Sequence, residues 1–98
     1  MNLEESVDIQ KYVDMIDDTG YLIFGKDQCK YCTLATDLLM SKKFREIQYI
    51  KINDIDERRA FYSYINNKYK VNIKTVPQIF KDGEYIGGHS DLVNYFKK

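Results

Sequence analysis

The sequence predicts an α/β fold in which helices cover both faces of a four-stranded mixed sheet. Short β-rich segments alternate with helical apolar periodicity through most of the chain, and a final pair of strand-like segments is joined by Asp82-Gly83. Strands connected through a helix are expected to be parallel, and strands connected by a tight turn antiparallel. The expected order is α-β-α-β-α-β-β-α, in one domain over residues 1–98.

The first half of the chain supplies two helices and two strands of this order. An N-terminal helical segment over residues 1–18, packed on the domain, is predicted by four residues at helical spacing: Ile9, Tyr12, Val13 and Ile16. The apolar run YLIF (21–24) predicts a buried strand, and IQYIKI (47–52) predicts the second. The helix between them (31–40) has a predicted apolar face: Leu34, Ala35, Leu38 and Leu39.

The second half predicts a long helix, a hairpin and a short last helix. Asp54 or Asp56 is expected to cap the long helix, whose apolar face contains Phe61, Tyr64, Ile65 and Tyr69. VPQIF (76–80) and EYIG (84–87) predict the hairpin strands, because Asp-Gly favours a two-residue turn. Ser90 is expected to cap the last helix, whose apolar residues are Leu92, Val93 and Phe96.

Composition excludes several classes of function. Fifteen Lys and Arg balance fifteen Asp and Glu in 98 residues, so the net charge is zero and the basic surface of a nucleic-acid-binding protein is not expected. No apolar run approaches the roughly 20 residues of a membrane span. The acidic N-terminus does not resemble a signal peptide. The sequence predicts a cytoplasmic monomer that binds neither nucleic acid nor membrane.

The two cysteines, Cys29 and Cys32, are separated by two residues at a predicted loop-to-helix junction. A structural zinc site needs four Cys or His ligands, and beyond these two the chain offers only His89, with Asp91 as a further candidate. A structural disulfide is not expected in the cytoplasm. An inert buried pair is disfavoured by the junction, where side chains are exposed.

Redox chemistry fits the surroundings of this pair. Helix N-terminal N–H groups and the charges of Lys26 and Lys30 favour a thiolate, which lowers a cysteine pKa below its ordinary value. Cys29 opens the helix and is the expected nucleophile, whereas Cys32, nearly one turn later, resolves the mixed disulfide. A strand, a loop, C-x-x-C and a helix together are typical of thioredoxin-like redox proteins.

Three motifs make the prediction specific: CKYC (29–32), TVPQIF (75–80) and IGGHSDL (86–92). In this order and near this spacing they resemble the glutaredoxin family over nearly the whole chain. Thioredoxins usually have Trp before the first cysteine and Gly-Pro between the two. This chain has no Trp and has Lys-Tyr between its cysteines.

The resemblance implies a thioredoxin-like fold and the use of glutathione. Pro77 matches the family's cis-proline, and a cis bond there presents the Val76 backbone for pairing with an extended ligand. Asp91 matches the family's partner for the glutathione amino group, and Lys26 its base near the glycyl carboxylate. The other positions implied to contact glutathione are Tyr31, Thr75, Gly88 and Ser90.

The chain departs from the family pattern at Lys30, where members commonly have Pro, and at His89, where many have Cys or an aromatic residue. The family's glutathione-binding residue on the third helix is not identifiable in the sequence, and Asn67 and Lys70 remain candidates.

The resulting prediction is a dithiol glutaredoxin, an oxidoreductase in which glutathione reduces Cys29–Cys32 and the dithiol reduces protein disulfides or glutathionylated proteins. One alternative is a carrier in which Cys29 from two chains and two glutathiones ligate a [2Fe–2S] cluster. Another is a thioredoxin-like protein reduced by a reductase.

Overall fold

The structure, a computed structural model, describes residues 8–97. Within that range it contains the predicted alternation of helices and strands. The elements are α1 Gln10–Met15, β1 Tyr21–Gly25, α2 Lys30–Ser41, β2 Ile47–Lys51, α3 Ile55–Tyr69, β3 Gln78–Lys81, β4 Glu84–Gly87 and α4 His89–Tyr95.

The strands form one mixed sheet with the order β2-β1-β3-β4. β1 and β2 are parallel, and β3 is antiparallel to both β1 and β4. All five residues of β1 are buried, as expected for a central strand covered on both faces. Asp82 and Gly83 both have positive φ, at 49° and 85°, which matches the predicted Asp-Gly hairpin turn. The predicted fold class is therefore confirmed.

Successive side chains of β1 divide the core into two layers, because neighbouring residues on a strand point to opposite faces. Leu22 and Phe24 pack with residues of α1 and α3, and Tyr21 and Ile23 pack with residues of α2 and α4. The first layer is rich in rings, with Phe24 and Phe61 centroids 4.5 Å apart. The two layers fix the C-terminal end of β1, from which the chain leads to the cysteines.

The N-terminal helix belongs to the first layer. The Tyr12 ring meets Phe24 and Phe61 edge-on at 6.3 and 6.0 Å, and its hydroxyl donates to Glu57 Oε1 at 2.6 Å. Residues 1–7 of the predicted N-terminal segment lie outside the described residues.

The helix faces follow the prediction with one exception. Asp54, one of the two candidates, caps α3 by accepting the Glu57 N–H at 2.9 Å, and Phe61 and Ile65 are buried. Leu34 of α2 is 38% exposed, although its periodicity predicted burial. The buried stripe of α2 runs through Cys32, Ala35 and Leu39, and Leu34 is offset by about 100° from Ala35.

Two predicted boundaries were wrong. β3 begins at Gln78, not Val76, because Pro77 has no N–H to donate to a neighbouring strand. The N-cap of α4 is Gly88, not Ser90, which lies exposed in the first turn. Asp91 takes the capping role by accepting the Gly88 N–H at 2.9 Å.

None of the helices in the described range has the length and apolar character needed to cross a bilayer.

Candidate active site

Cys29 and Cys32 form a disulfide at the start of α2, with their Cα atoms 5.2 Å apart. Cys29 is the N-cap, in an extended conformation, and its Sγ accepts the Cys32 N–H at 3.2 Å. Cys32 is fully buried, whereas Cys29 is partly exposed. An incoming thiolate can therefore reach Cys29 but not Cys32. The roles of nucleophile and resolving cysteine stay predictions.

The loop that leads from β1 to the cysteines is held by the end of β2. The Tyr49 hydroxyl donates to the Lys26 carbonyl at 2.7 Å, and Asn53 exchanges two hydrogen bonds with Asp27, at 2.8 and 2.9 Å. Lys51 lies 2.8 Å from the Asp27 carboxylate and lowers its pKa. These contacts fix the approach to the disulfide from one side.

Gly25 allows β1 to pass directly beside the buried sulfur. A Cβ at this position would lie 2.7 Å from Cys32 Sγ and 2.6 Å from the Tyr49 hydroxyl oxygen. A larger residue would therefore displace Cys32 or the tyrosine that anchors the loop.

A groove of about 820 Å³ lies on one side of Cys29, between the cysteine loop and α3. From the loop and the start of α2 it is lined by Lys26, Gln28, Cys29, Lys30 and Tyr31, from α3 by Ile55, Arg58, Arg59, Tyr62, Ser63, Asn66 and Asn67, and from the following loop by Ile73, Lys74, Thr75 and Val76. Five of these side chains are basic, and no Asp or Glu of residues 8–97 lines it. We call it the cationic groove.

A second groove, of about 640 Å³, lies between the loop before β3 and the start of α4. It shares Tyr31 and residues 73–76 with the cationic groove. Its remaining lining consists of Asn72, Pro77, Gln78, Gly88, His89, Ser90 and Asp91. We call it the proline groove, because the Val76-Pro77 peptide bond in its wall is cis, as the resemblance implied.

The two grooves bring together the predicted site residues. Lys26, Cys29, Tyr31, Thr75 and Val76 line the cationic groove, and Pro77, Gly88, Ser90 and Asp91 line the proline groove. Cys32 lines neither and lies buried behind Cys29. Segments more than 40 residues apart in sequence therefore line two adjoining grooves, with Cys29 in the cationic groove and the proline groove joined to it through Tyr31 and residues 73–76.

The start of α4 closes tightly on the proline groove. Gly87 has φ 122°, and a Cβ there would overlap the Asp91 carboxylate, so this position requires glycine. A Cβ on Gly88 would lie 3.5 Å from the Pro77 carbonyl oxygen. Across the groove, the His89 ring centroid is 5.5 Å from that of Tyr31.

Gln78 supports the proline groove from below. This buried side chain accepts the Tyr85 hydroxyl proton at 2.6 Å and donates to the Thr75 carbonyl at 3.0 Å. Burial, followed by the charge of Asp91, raises the pKa of Tyr85 to about 12, so its phenol remains a donor at neutral pH. This chain of bonds fixes the carbonyl just before the cis peptide.

Asn66 performs a similar task for the loop shared by the grooves. Its side chain accepts the Ile73 N–H at 2.7 Å and donates to the Ile73 carbonyl at 3.2 Å. The loop after α3 is therefore tied back to the helix at the point where it enters both grooves.

Most residues on the α3 side of the site were not predicted from the sequence. Asn67, one of its two candidates, lines the cationic groove, whereas Lys70 ends α3 in the left-handed conformation and lines neither groove. The missed α3 residues are Ile55, Arg58, Arg59, Tyr62, Ser63 and Asn66. With Asn67 they recur at i, i+3, i+4, i+7, i+8, i+11 and i+12, so a mainly polar stripe beside the apolar one was the available signal.

Comparison with known proteins agrees with this geometry. The family model described as Glutaredoxin matches residues 22–86. Glutaredoxin 1 of Escherichia coli is 34% identical over 79 residues, covering 79% of this chain and 92% of that protein.

Solved structures agree as well. The crystal structure of glutaredoxin 1 from Francisella tularensis superposes with a TM-score of 0.71 at 32% identity, covering 80% of this chain and 92% of that one. The solution structure of a dithiolic glutaredoxin from Trypanosoma brucei brucei superposes with a TM-score of 0.70 at 32% identity, covering 86% of this chain and 84% of that one.

The chain belongs to the glutaredoxin family. This glutaredoxin is a thiol–disulfide oxidoreductase of the dithiol type, with Cys29–Cys32 as its redox-active disulfide. The expected family and thioredoxin-like fold are confirmed. Within residues 8–97 no three His, Cys, Asp or Glu side chains form a group able to hold a metal ion. The individual glutathione contacts stay predictions.

Proposed function

We propose that this glutaredoxin takes electrons from glutathione and delivers them to protein disulfides and to glutathionylated proteins. The proposal is carried by one observation: the groove that contains the partly exposed Cys29 shares a wall, Tyr31 and residues 73–76, with the differently lined proline groove. A buckwheat glutaredoxin has been solved as a complex with glutathione, and its structure superposes on this one with a TM-score of 0.71 at 21% identity, covering 97% of this chain and 83% of that one.

Glutathione is proposed to span both grooves. Its cysteine lies against Cys29, and its backbone pairs with Val76 beside the cis peptide. Its glycyl carboxylate extends into the cationic groove towards Lys26, and its γ-glutamyl end extends into the proline groove towards Ser90 and Asp91. Asp91 is exposed, and its carboxylate has lone pairs beyond the one that accepts the Gly88 N–H.

Reduction of the substrate takes two thiol–disulfide exchanges, and regeneration of the dithiol by glutathione takes two more. The Cys29 thiolate attacks a substrate disulfide, forming a mixed disulfide and releasing one substrate thiolate. Cys32 then attacks the Cys29 sulfur, which forms the Cys29–Cys32 disulfide seen here and releases the second thiolate. Two glutathione thiolates regenerate the dithiol in turn, and glutathione disulfide leaves. Two electrons pass from two glutathiones to one substrate disulfide, and protons from solvent complete the thiols.

The test is a comparison of electron donors on one glutathionylated peptide. Glutathione with glutathione reductase should support turnover, whereas thioredoxin reductase alone should not. The reverse result would assign the chain to the reductase-dependent alternative. Anaerobic purification with glutathione tests the cluster carrier, since brown colour with visible absorbance and no peptide reduction would favour that function. Cytoplasmic location and a monomeric state stay predictions.

A further inference from the structure

The cationic groove is unusual for a chain without net charge. One third of its fifteen Lys and Arg side chains line this single groove: Lys26, Lys30, Arg58, Arg59 and Lys74. No carboxylate of residues 8–97 lines it. Another surface groove, at the opposite end of the sheet, combines Arg45 and Lys81 with Glu46 and Asp82. The excess positive charge is therefore local to the reactive sulfur.

These cations have no ion-pair partner among the described residues. The ion pairs of residues 8–97 join Lys11 to Glu57 and Lys51 to Asp27, and neither involves a cation of the groove. Arg58 donates from Nη1 to two backbone carbonyls, those of Ile52 and Asn53, which orients its guanidinium without neutralising it. The groove presents a positive potential to whatever reaches Cys29.

Glutathione uses little of this charge. In the proposed pose only its glycyl carboxylate enters the cationic groove, next to Lys26, and one carboxylate does not neutralise the five cations that line it. The α3 wall extends from Ile55 to Asn67, about 18 Å at 1.5 Å per residue. That length accommodates about five residues of extended polypeptide. Ile55, half exposed, and Tyr62 add apolar contact along the same wall.

We infer that the cationic groove binds an extended acidic segment of the protein substrate, whose Asp or Glu side chains flank the disulfide that Cys29 attacks. The inference deepens the proposed function by naming its substrate class. A polypeptide is favoured over a nucleic acid because the reaction at Cys29 requires a disulfide. The zero net charge also gives no general attraction to a polyphosphate.

Three peptides with one shared intramolecular disulfide loop, flanked by Glu, Gln or Lys residues, test the inference. The fully reduced protein reacts with each in a single turnover without glutathione, so the result is independent of the electron donor. At low salt the Glu peptide should react about tenfold faster than the Lys peptide, with the Gln peptide between them. At about 0.5 M salt the preference should largely disappear, because the Debye length then falls below about 5 Å.

Arg59→Gln should lower the Glu-to-Lys rate ratio about two- to fivefold, the range expected for one exposed charge pair. Arg45→Gln is the matched control, since it makes the same change of charge at the opposite end of the sheet and should leave the ratio at the wild-type value.

Equal rates for the three peptides, or an equal fall in the ratio for both variants, would overturn the inference. The inference would also be overturned if a single-stranded oligonucleotide inhibited reduction of the Glu peptide more strongly than a poly-Glu peptide of equal charge. That result would assign the groove to nucleic acid. If the peptide preference appears but glutathione fails as electron donor, the inference stands and the proposed function fails.

Discussion

The two grooves that adjoin each other beside Cys29, sharing Tyr31 and residues 73–76, are built in different ways. The proline groove is lined mainly by two compact motifs, Thr75 to Gln78 and Gly88 to Asp91, the first of which contains the cis peptide bond. The cationic groove is made largely of long side chains on one face of α3, assembled with the cysteine loop by the packing of the sheet. The first is suited to a fixed small ligand, and the second to partners recognised by charge.

This difference separates two kinds of specificity. Hydrogen bonds from fixed backbone groups and from Asp91 require a matching donor or acceptor on the ligand at each position, so they discriminate strongly between ligands. Exposed lysines and arginines contribute little individually, and salt screens them. Changes in the proline groove should therefore act mainly on glutathione, and changes in the cationic groove mainly on the choice of protein substrate.

The largest effect should follow the loss of Cys29, because the proposed reaction begins with attack by its thiolate. We expect Cys29→Ser to abolish every thiol–disulfide activity. Cys32→Ser should retain reduction of glutathione mixed disulfides, since glutathione resolves the intermediate, and should lose most reduction of intramolecular protein disulfides. Steady-state assays with one substrate of each kind measure both. Activity in Cys29→Ser together with complete inactivity in Cys32→Ser would reverse the assigned roles.

The next largest effect should come from Asp91 and should concern glutathione alone. Losing a charge-assisted hydrogen bond costs roughly 1.5–3 kcal/mol of binding free energy. Asp91→Ala should therefore weaken glutathione use by about one to two orders of magnitude. Because Asp91 also caps α4 through the Gly88 N–H, Asp91→Asn is the informative control: it keeps an acceptor and removes the charge.

Both Asp91 variants should be impaired with glutathione and nearly normal with a small generic disulfide. Recovery of glutathione use in Asp91→Asn would show that Asp91 acts only as a cap. Equal loss on both substrates would indicate a damaged fold.

A smaller effect should follow a change in the wall that the grooves share. Asn66→Ala removes two hydrogen bonds to Ile73, at roughly 0.5–1.5 kcal/mol each. We expect a lower melting temperature and higher KM values for both glutathione and a peptide disulfide. Asn67→Ala is the matched control, since Asn67 lines the same groove as Asn66 but makes no side-chain hydrogen bond to Ile73. If Asn66→Ala changes KM for one substrate alone, the shared loop does not couple the grooves.

The sequence predicted the proline groove far better than the cationic one. Each of its two motifs, TVP (75–77) and GGHSD (87–91), is a continuous stretch of sequence. The special backbone conformations in them, the cis bond at Pro77 and the φ of 122° at Gly87, occur at proline and glycine, which the sequence shows directly. In the sequence, nothing distinguishes the α3 residues of the cationic groove, such as Arg58, Arg59 and Tyr62, from other helix residues. They line the same groove as Cys29 because of the way α3 packs in the fold.

Local rules also failed where a neighbour competed for the same backbone group. Ser90 was expected to cap α4, but Asp91 binds the N–H of Gly88 and makes that glycine the cap. Neither the charge of the cationic groove nor the identity of this cap follows from sequence spacing alone.

The smallest expected effect concerns the support beneath the proline groove, at alkaline pH. The pKa of Tyr85 is raised from 10.0 to about 12 by burial and by Asp91, and that of Tyr12 to about 12 by burial and by Glu57. A raised pKa means that the stabilisation is fully present below pH 10 and is lost as the pH rises towards 12.

Urea unfolding from pH 9 to 12 should therefore show wild-type stability falling towards that of Tyr85→Phe, with a difference of about 1 kcal/mol at pH 9 for the lost hydrogen bond to Gln78. Tyr12→Phe is the matched control, because its hydroxyl bonds Glu57 and lines neither groove. Both variants should flatten the alkaline profile, and only Tyr85→Phe should raise KM for glutathione at neutral pH. A rise in KM with Tyr12→Phe as well would mean that general loosening of the core, not the bond chain through Gln78 to Thr75, governs the proline groove.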